Sequence, residues 1–403
     1  IILILGALTM IGPFSIDMYL PGFPAIAKDL QTSIANVQLS LASFFVGLAL
    51  GQLFSGPITD RFGRKKPLYI GLGLYMLASL ACVFAPNVET LIALRFVQAL
   101  GGSVGMVVSR AVVRDLYEPE EVAKIFSMLM LVMGVAPIIA PSLGGIMAAT
   151  VGWQAIFLSL TGISGLILLG MYLGLPETRP YDASISLHPV NVFKDYITIF
   201  KNRQFLTYTL VSGISGAGMF AYISGSPFVF IELHQVPEAT FGIIFSANAF
   251  GLIMSGQLNR LFLRRFSTVQ IVKFVNIIQL IFGTLLVFYG FTHWGGLPML
   301  IFLLFIYLAV LGFLYPNSGA LAMAPFGRNA GGASALLGSL QFVISAVVAG
   351  LVSAFDNGTA LPMAGGMAIC SLLVFIVLQI AARNDKKAVK TTTAEAQEAV
   401  PAS

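Results

Sequence analysis

The chain has 403 residues, 57% of them hydrophobic and only 10% charged, with 22 Lys and Arg against 17 Asp and Glu and a mean hydropathy of +0.91. Soluble domains carry about 25% charged residues, so there are too few polar groups here to cover a water-facing surface, and the surrounding solvent must be lipid. A bilayer core takes roughly 20 apolar residues per helix, so about twelve spans with short connections fit the length.

A window of roughly 19 residues predicts spans near 1–20, 38–58, 68–85, 90–113, 125–150 and 154–175, then 204–230, 240–259, 269–291, 298–322, 333–355 and 362–382. The first run carries Asp17 and no small-residue cleavage site follows it, so it reads as a span and not as a signal peptide. The predicted fold class is an all-α membrane protein of twelve transmembrane helices in two pseudo-symmetric bundles. Residues 1–175 form the N-terminal six-helix bundle, 176–203 a cytoplasmic linker and 204–382 the C-terminal six-helix bundle, leaving 383–403 as a disordered cytoplasmic tail.

Orientation follows from the basic residues. The even connections and the tail hold 19 of the 22 Lys and Arg, the odd connections only Lys28, and Arg95 and Arg110 lie inside the fourth span. Short loops rich in Lys and Arg stay cytoplasmic, which puts both termini on the cytoplasmic side of a bacterial inner membrane. The formal charge of +5 is thereby explained by topology, without nucleic acid as a partner. Cys82 and Cys370 sit in apolar runs as packing residues, and His188, His234 and His293 lie far apart in polar connections. With no HExxH, P-loop or Gly-x-Ser-x-Gly pattern, neither an enzyme nor a metal or other cofactor is expected.

The two halves are related. Ala49, Gly51, Ser55, Gly56, Phe62 and Arg64 recur 200 residues later as Ala249, Gly251, Ser255, Gly256, Phe262 and Arg264, and Lys65 is answered by Arg265. The connection after span two reads Gly56-Pro-Ile-Thr-Asp60-Arg61-Phe-Gly63-Arg64-Lys65. A cytoplasmic turn needs basic residues in any case, but not Gly56, Asp60 and Gly63 at those intervals. This segment resembles the signature loop of the major facilitator superfamily, whose members are built from parallel six-span repeats. An acid at the end of span two is placed to cap a neighbouring helix N-terminus and to pair with Arg64. The resemblance supplies a second acid at the end of span four, Asp115, and implies that the cluster latches the two halves together on the cytoplasmic side.

Span five contains Pro137, Pro141, Gly144 and Gly145, and span four Leu94-Arg95-Phe-Val-Gln98. Both resemble motifs of the superfamily's drug:proton antiporters, with Ala140 and Ala99 standing where the family has Gly. Two prolines four apart kink a helix, and glycines let another helix approach closely. An arginine in lipid faces a cavity or partner by default; snorkelling toward the surface near Asn87 is the other reading of Arg95. Ser15-Ile-Asp17-Met-Tyr-Leu-Pro21, Trp153-Gln154, Pro176-Glu177-Thr178 and Ala330-Gly-Gly-Ala-Ser334 further resemble the bicyclomycin/chloramphenicol-resistance branch. A second acid found in related multidrug antiporters is replaced here by Thr9.

The resemblance implies a central cavity lined by spans one, four, seven and ten. Helical spacing puts Met10, Phe14 and Asp17 on one face of span one, Ser215, Met219, Tyr222 and Ser226 on one face of span seven, and Tyr307, Leu311 and Tyr315 on one face of span ten. Methionines and aromatic rings suit varied apolar ligands, though such residues also serve as interhelix or lipid-facing filler. Gln38, Gln52, Asn248, Asn276, Asn317 and Gln341 are further polar candidates whose faces periodicity leaves open. Asp17 is the sole acid within the spans so drawn; it lies near the midplane if the helix continues through Pro21, and in the outer third if the helix stops there. The expected activity is proton-coupled antiport of small, largely apolar drugs, with Asp17 and Arg95 as the proton-coupling pair, in a monomer whose partners are drug, proton and lipid. Alternatives are a proton-coupled transporter of a sugar or amino acid and, from another class, a nontransporting receptor.

Overall fold

In a computed structural model of the chain, which describes residues 1–183 and 189–398, twelve helices among the described residues are long and apolar enough to cross a membrane. In the first half these are span one, Ile2–Asp29, span two, Ile34–Phe62, span three, Lys65–Val83, span four, Val88–Leu116, and span six, Gln154–Gly174; span five is the helix Pro119–Thr150. The second half holds Arg203–Leu233, Glu238–Phe262, Thr268–Thr292, Gly296–Phe326, Gly332–Ala354 and Leu361–Arg383 as spans seven to twelve. Several helices begin at a polar residue that caps them: Ser33 accepts from the Asn36 amide, Asn87 from Thr90 and Asn202 from Phe205. Ser267 and Gln270 close a reciprocal capping box at span nine. Each cap satisfies a backbone N–H that a helix start leaves without an intrahelical acceptor.

Spans one and ten are broken near a proline. In span one, Pro21 has no N–H to offer, and the helix Ile2–Asp17 passes through a 3₁₀ turn at Leu20–Gly22 into Phe23–Asp29. Span ten breaks at Val310, upstream of Pro316. There the Phe313 amide turns to the Val310 carbonyl, which frees the Ala309 carbonyl to accept from the Ser255 hydroxyl of span eight.

Within each half, glycines let paired helices touch. A Cβ on Gly47 would lie 2.5 Å from the Phe96 carbonyl of span four, and one on Gly312 would meet span eight at the Gly256 amide, 2.7 Å away. The 200-residue repeat thus returns as one packing: span two on span four, and span eight on span ten. Between the halves, span two lies along span eleven and span five along span eight. The Ser353 hydroxyl donates to the Ala35 carbonyl at 2.6 Å, and the Ser246 hydroxyl to the Ile138 carbonyl at 2.6 Å. Large apolar side chains such as Ile70, Leu166 and Phe291 remain exposed on the outside, as a lipid-facing surface requires. Cys82 and Cys370 are buried and unbonded to each other.

Two segments differ from the composition-based reading. The linker predicted over 176–203 contains a helix, Pro189–Phe200, whose Tyr196 hydroxyl donates to the Leu53 carbonyl of span two at 2.9 Å; His188 lies outside the described residues. The last helix runs through Leu361–Glu398, so the tail predicted as disordered from 383 is helical as far as Glu398. No Gly or Pro occurs between 384 and 398 to stop a helix already nucleated in span twelve.

Candidate functional site

Where the halves face one another, a cavity of about 250 Å³ is lined by Asp17, Leu48, Met106, Met133, Pro137, Met219, Phe220, Tyr222, Phe245, Asn248, Tyr315 and Phe342, with neighbouring aliphatic residues. Asp17 ends the first helical segment of span one. Because the chain resumes as a helix after Pro21, Asp17 falls near the middle of the 28-residue span Ile2–Asp29, the deeper of the two expected positions. It is 5% exposed, and its carboxylate has no hydrogen bond or ion pair among the described residues.

Arg95 is elsewhere. Its side chain is fully buried, outside the cavity lining, with the guanidinium 4.1 Å from the Phe44 ring centroid and 4.5 Å from that of Tyr19. It donates to Gln98 Oε1 at 2.5 Å and to the Ser15 carbonyl at 2.9 Å. That carbonyl is free because the Tyr19 amide bonds Ile16 instead, so the arginine fills a vacancy left by the break in span one. Ser15 also bonds Tyr75 at 2.6 Å, on the side of the helix away from the cavity. Arg95 therefore neither snorkels nor forms an ion pair with Asp17: the two expected coupling residues occupy opposite sides of one helix.

Of the cavity residues predicted, Asp17, Met219, Tyr222 and Tyr315 line it, while Met10, Phe14, Ser226 and Tyr307 do not. The Tyr307 hydroxyl donates to the Met367 carbonyl at 2.8 Å inside the second half. Ser226 is fully buried. Spans two, five, eight and eleven also contribute to the wall, which sequence periodicity did not indicate. The amide of Asn248 was the one visible signal for span eight.

Span five runs from the cavity wall to close contacts with spans one and eight. Pro137 is part of the wall. A Cβ on Gly144 would run into the Met18 backbone at the break in span one, and one on Gly145 would lie 2.8 Å from the Glu238 carbonyl at the start of span eight. Gly242 returns the contact, since a Cβ there would lie 2.8 Å from the Pro141 carbonyl. The Pro/Gly segment is thus a backbone-to-backbone seam joining both halves.

At the other end lies the basic loop. Arg64 Nη1 bonds Asp60 at 2.7 Å, and Nε bonds Asp115 at 2.8 Å. Burial works against the charge of Arg64, but its bonds to Asp115 and Asp60 outweigh that and raise its pKa above the ordinary value. Glu177 and Thr178, seen in the sequence only as part of a family pattern, join this cluster together with Arg179. Arg179 reaches Asp60 at 3.0 Å, and the Thr178 hydroxyl donates to Asp115 at 2.9 Å. The carboxylate of Glu177 accepts from the Arg64 and Lys65 amides at 2.7 and 3.0 Å, so it caps span three, the task expected of Asp60. The Asp182 amide donates to the Arg61 carbonyl at 2.9 Å. Gly63 adopts φ +83°, and a Cβ there would sit 2.8 Å from the Arg179 carbonyl; Gly56 has open space beside it. All these partners belong to spans two to four and to the chain leaving span six. The cluster ties the start of the linker to the first half, where the expected latch joined half to half.

The Major Facilitator Superfamily profile matches residues 5–350. The chain is 38% identical to an MFS-type transporter of Bacillus subtilis over 92% of each chain. It is 33% identical to a bicyclomycin resistance protein homolog of Haemophilus influenzae, over 92% of this chain and 93% of that protein. With multidrug resistance protein D of Escherichia coli it shares 31% identity over 87% and 88% of the two chains. Among solved structures, a D-xylose-proton symporter superposes with a TM-score of 0.74 at 13% identity, over 93% of this chain and 96% of that one, a likeness of fold. Twelve spans among the described residues, in two related halves with a cavity between them, together with these matches, place the chain in the Major Facilitator Superfamily.

Proposed function

We propose that the protein exports small, largely apolar drugs across the bacterial inner membrane in exchange for protons. It works as a monomer by alternating access, with both termini cytoplasmic and the proton gradient in place of any cofactor. The observation that carries this reading is Asp17: a carboxylate without a bonding partner among the described residues, in the wall of an otherwise mostly apolar cavity between the halves. A desolvated carboxylate needs a proton or a positively polarised ligand, so drug and proton compete for one group. Opening outward protonates Asp17 and weakens the drug's hold; opening inward releases the proton and restores it. Arg95 assists from the far side of the helix by holding the break beside Asp17 through the Ser15 carbonyl. The seam at Gly144 and Gly145 would close the outer side when the cavity faces inward. The names of the Haemophilus influenzae and Escherichia coli relatives support drugs as the cargo.

The test is Asp17→Asn, which mimics the protonated state permanently. In proteoliposomes it abolishes uphill, gradient-driven efflux, and in detergent it abolishes drug-induced proton release, while a neutral drug still exchanges downhill. Full gradient-driven efflux and proton release in the variant would place the coupling site elsewhere.

A further inference from the structure

Across the cavity from Asp17, the second half presents two polar groups whose bonding is incomplete. The Tyr222 ring stacks on Phe245, centroids 5.3 Å apart and planes 22° apart, which fixes where its hydroxyl sits. That hydroxyl accepts from Asn248 Nδ2 at 3.0 Å, so its own hydrogen remains free to donate. Asn248 is 1% exposed, and its Oδ1 is buried with no hydrogen-bond partner. Both side chains line the cavity, whose remaining wall is largely thioether, aliphatic and aromatic.

A buried amide oxygen is ordinarily satisfied, and here the cavity is the space from which a partner can come. We propose that Tyr222 and Asn248 form a polar clamp that sets substrate specificity. It selects molecules with an apolar body bearing a hydroxyl or amide N–H group, which donates to Asn248 Oδ1 and, where it carries an oxygen, accepts from the Tyr222 hydroxyl. An apolar pocket alone discriminates weakly between similar molecules, whereas a site with hydrogen-bonding groups to satisfy disfavours an analogue that leaves them unpaired. Asp17 belongs to the first half and the clamp to the second, so a bound substrate is held from both sides of the interface. The inference rests on the cavity being the drug site and is independent of proton coupling.

The experiment is equilibrium binding to the full chain in detergent, with two probes. Chloramphenicol carries hydroxyls and an amide N–H; tetraphenylphosphonium carries neither. In Asn248→Leu the ratio of chloramphenicol to tetraphenylphosphonium affinity falls about tenfold, the worth of one buried hydrogen bond. Tyr222→Phe keeps the ring on Phe245 and lowers the ratio in the same direction, so the test survives if the leucine variant does not fold. A ratio within about twofold of wild type in Tyr222→Phe, or a wild-type chain that binds neither probe, overturns the proposal. A lowered ratio together with wild-type chain that shows no gradient-driven efflux would instead sustain the clamp and remove the coupling reading.

Discussion

Asp60→Asn isolates one charge in the cytoplasmic cluster while keeping the side chain's size. Asp60 serves Arg64 and Arg179, at 2.7 and 3.0 Å. The Arg64 side chain is 4% exposed, but Asp60 is 42% and Arg179 36% exposed. Solvent therefore screens both pairs: the first is worth about 1 kcal/mol at most and the second nearer 0.2–0.5 kcal/mol. Allowing for the weaker bonds that an amide still makes, the loss is roughly 1 kcal/mol, about fivefold in an opening equilibrium. Arg64 keeps Asp115 at 2.8 Å, so the first half stays folded and the effect falls on the start of the linker. The Asp182 amide, bonded to the Arg61 carbonyl, reports it. Hydrogen–deuterium exchange over residues 178–183 in detergent quickens about fivefold, while the cavity-lining spans exchange as in wild type. Transport falls and drug binding is nearly kept, since no residue of the cluster lines the cavity. Unchanged exchange over the linker, or an equal rise along the whole chain, would refute the assignment of these bonds.

Arg95 is sensitive to shape as well as charge, because its planar fork meets both Gln98 and the Ser15 carbonyl while lying over Phe44 and Tyr19. In drug-efflux assays Arg95→Lys, a point charge on a flexible stem, keeps a minority of transport and Arg95→Ala almost none; wild-type transport by a normally expressed alanine variant would remove any role in coupling. For topology, single cysteines at Asn357 and His234, in a background lacking the buried Cys82 and Cys370, react with an impermeant maleimide from outside, and one at Asp182 does not. The reverse labelling would invert the orientation.

Much of the architecture was legible because lipid imposes one-dimensional rules. A helix must satisfy its own backbone in hydrocarbon, so apolar length alone located the twelve spans, and local chemistry located Pro21, the Pro137 and Pro141 pair, and the pair Asp60 and Arg64, while Asp115 came from the family resemblance. Which face of a helix meets the cavity is a different kind of fact. Periodicity put Met10 and Phe14 on the face of Asp17, yet within the helix Ile2–Asp17 the residues that line the cavity beside Asp17 are Gly12, Pro13 and Ile16. It put Tyr307 with Tyr315, but the break at Val310 between them lets one point into the second half and the other into the cavity. Arg95 and Asp17 were natural partners by residue type and are held apart by a carbonyl that exists as a free acceptor only because the backbone bends. Glu177 lies 113 residues from the Arg64 amide it caps, a distance across which no local pattern carries information. Sequence thus determined the spans and the repeat, since apolar length and a matching pattern 200 residues on can be read along the chain. The tertiary structure decided which residues meet, because that depends on where helices break and on how closely glycines let separate backbones approach.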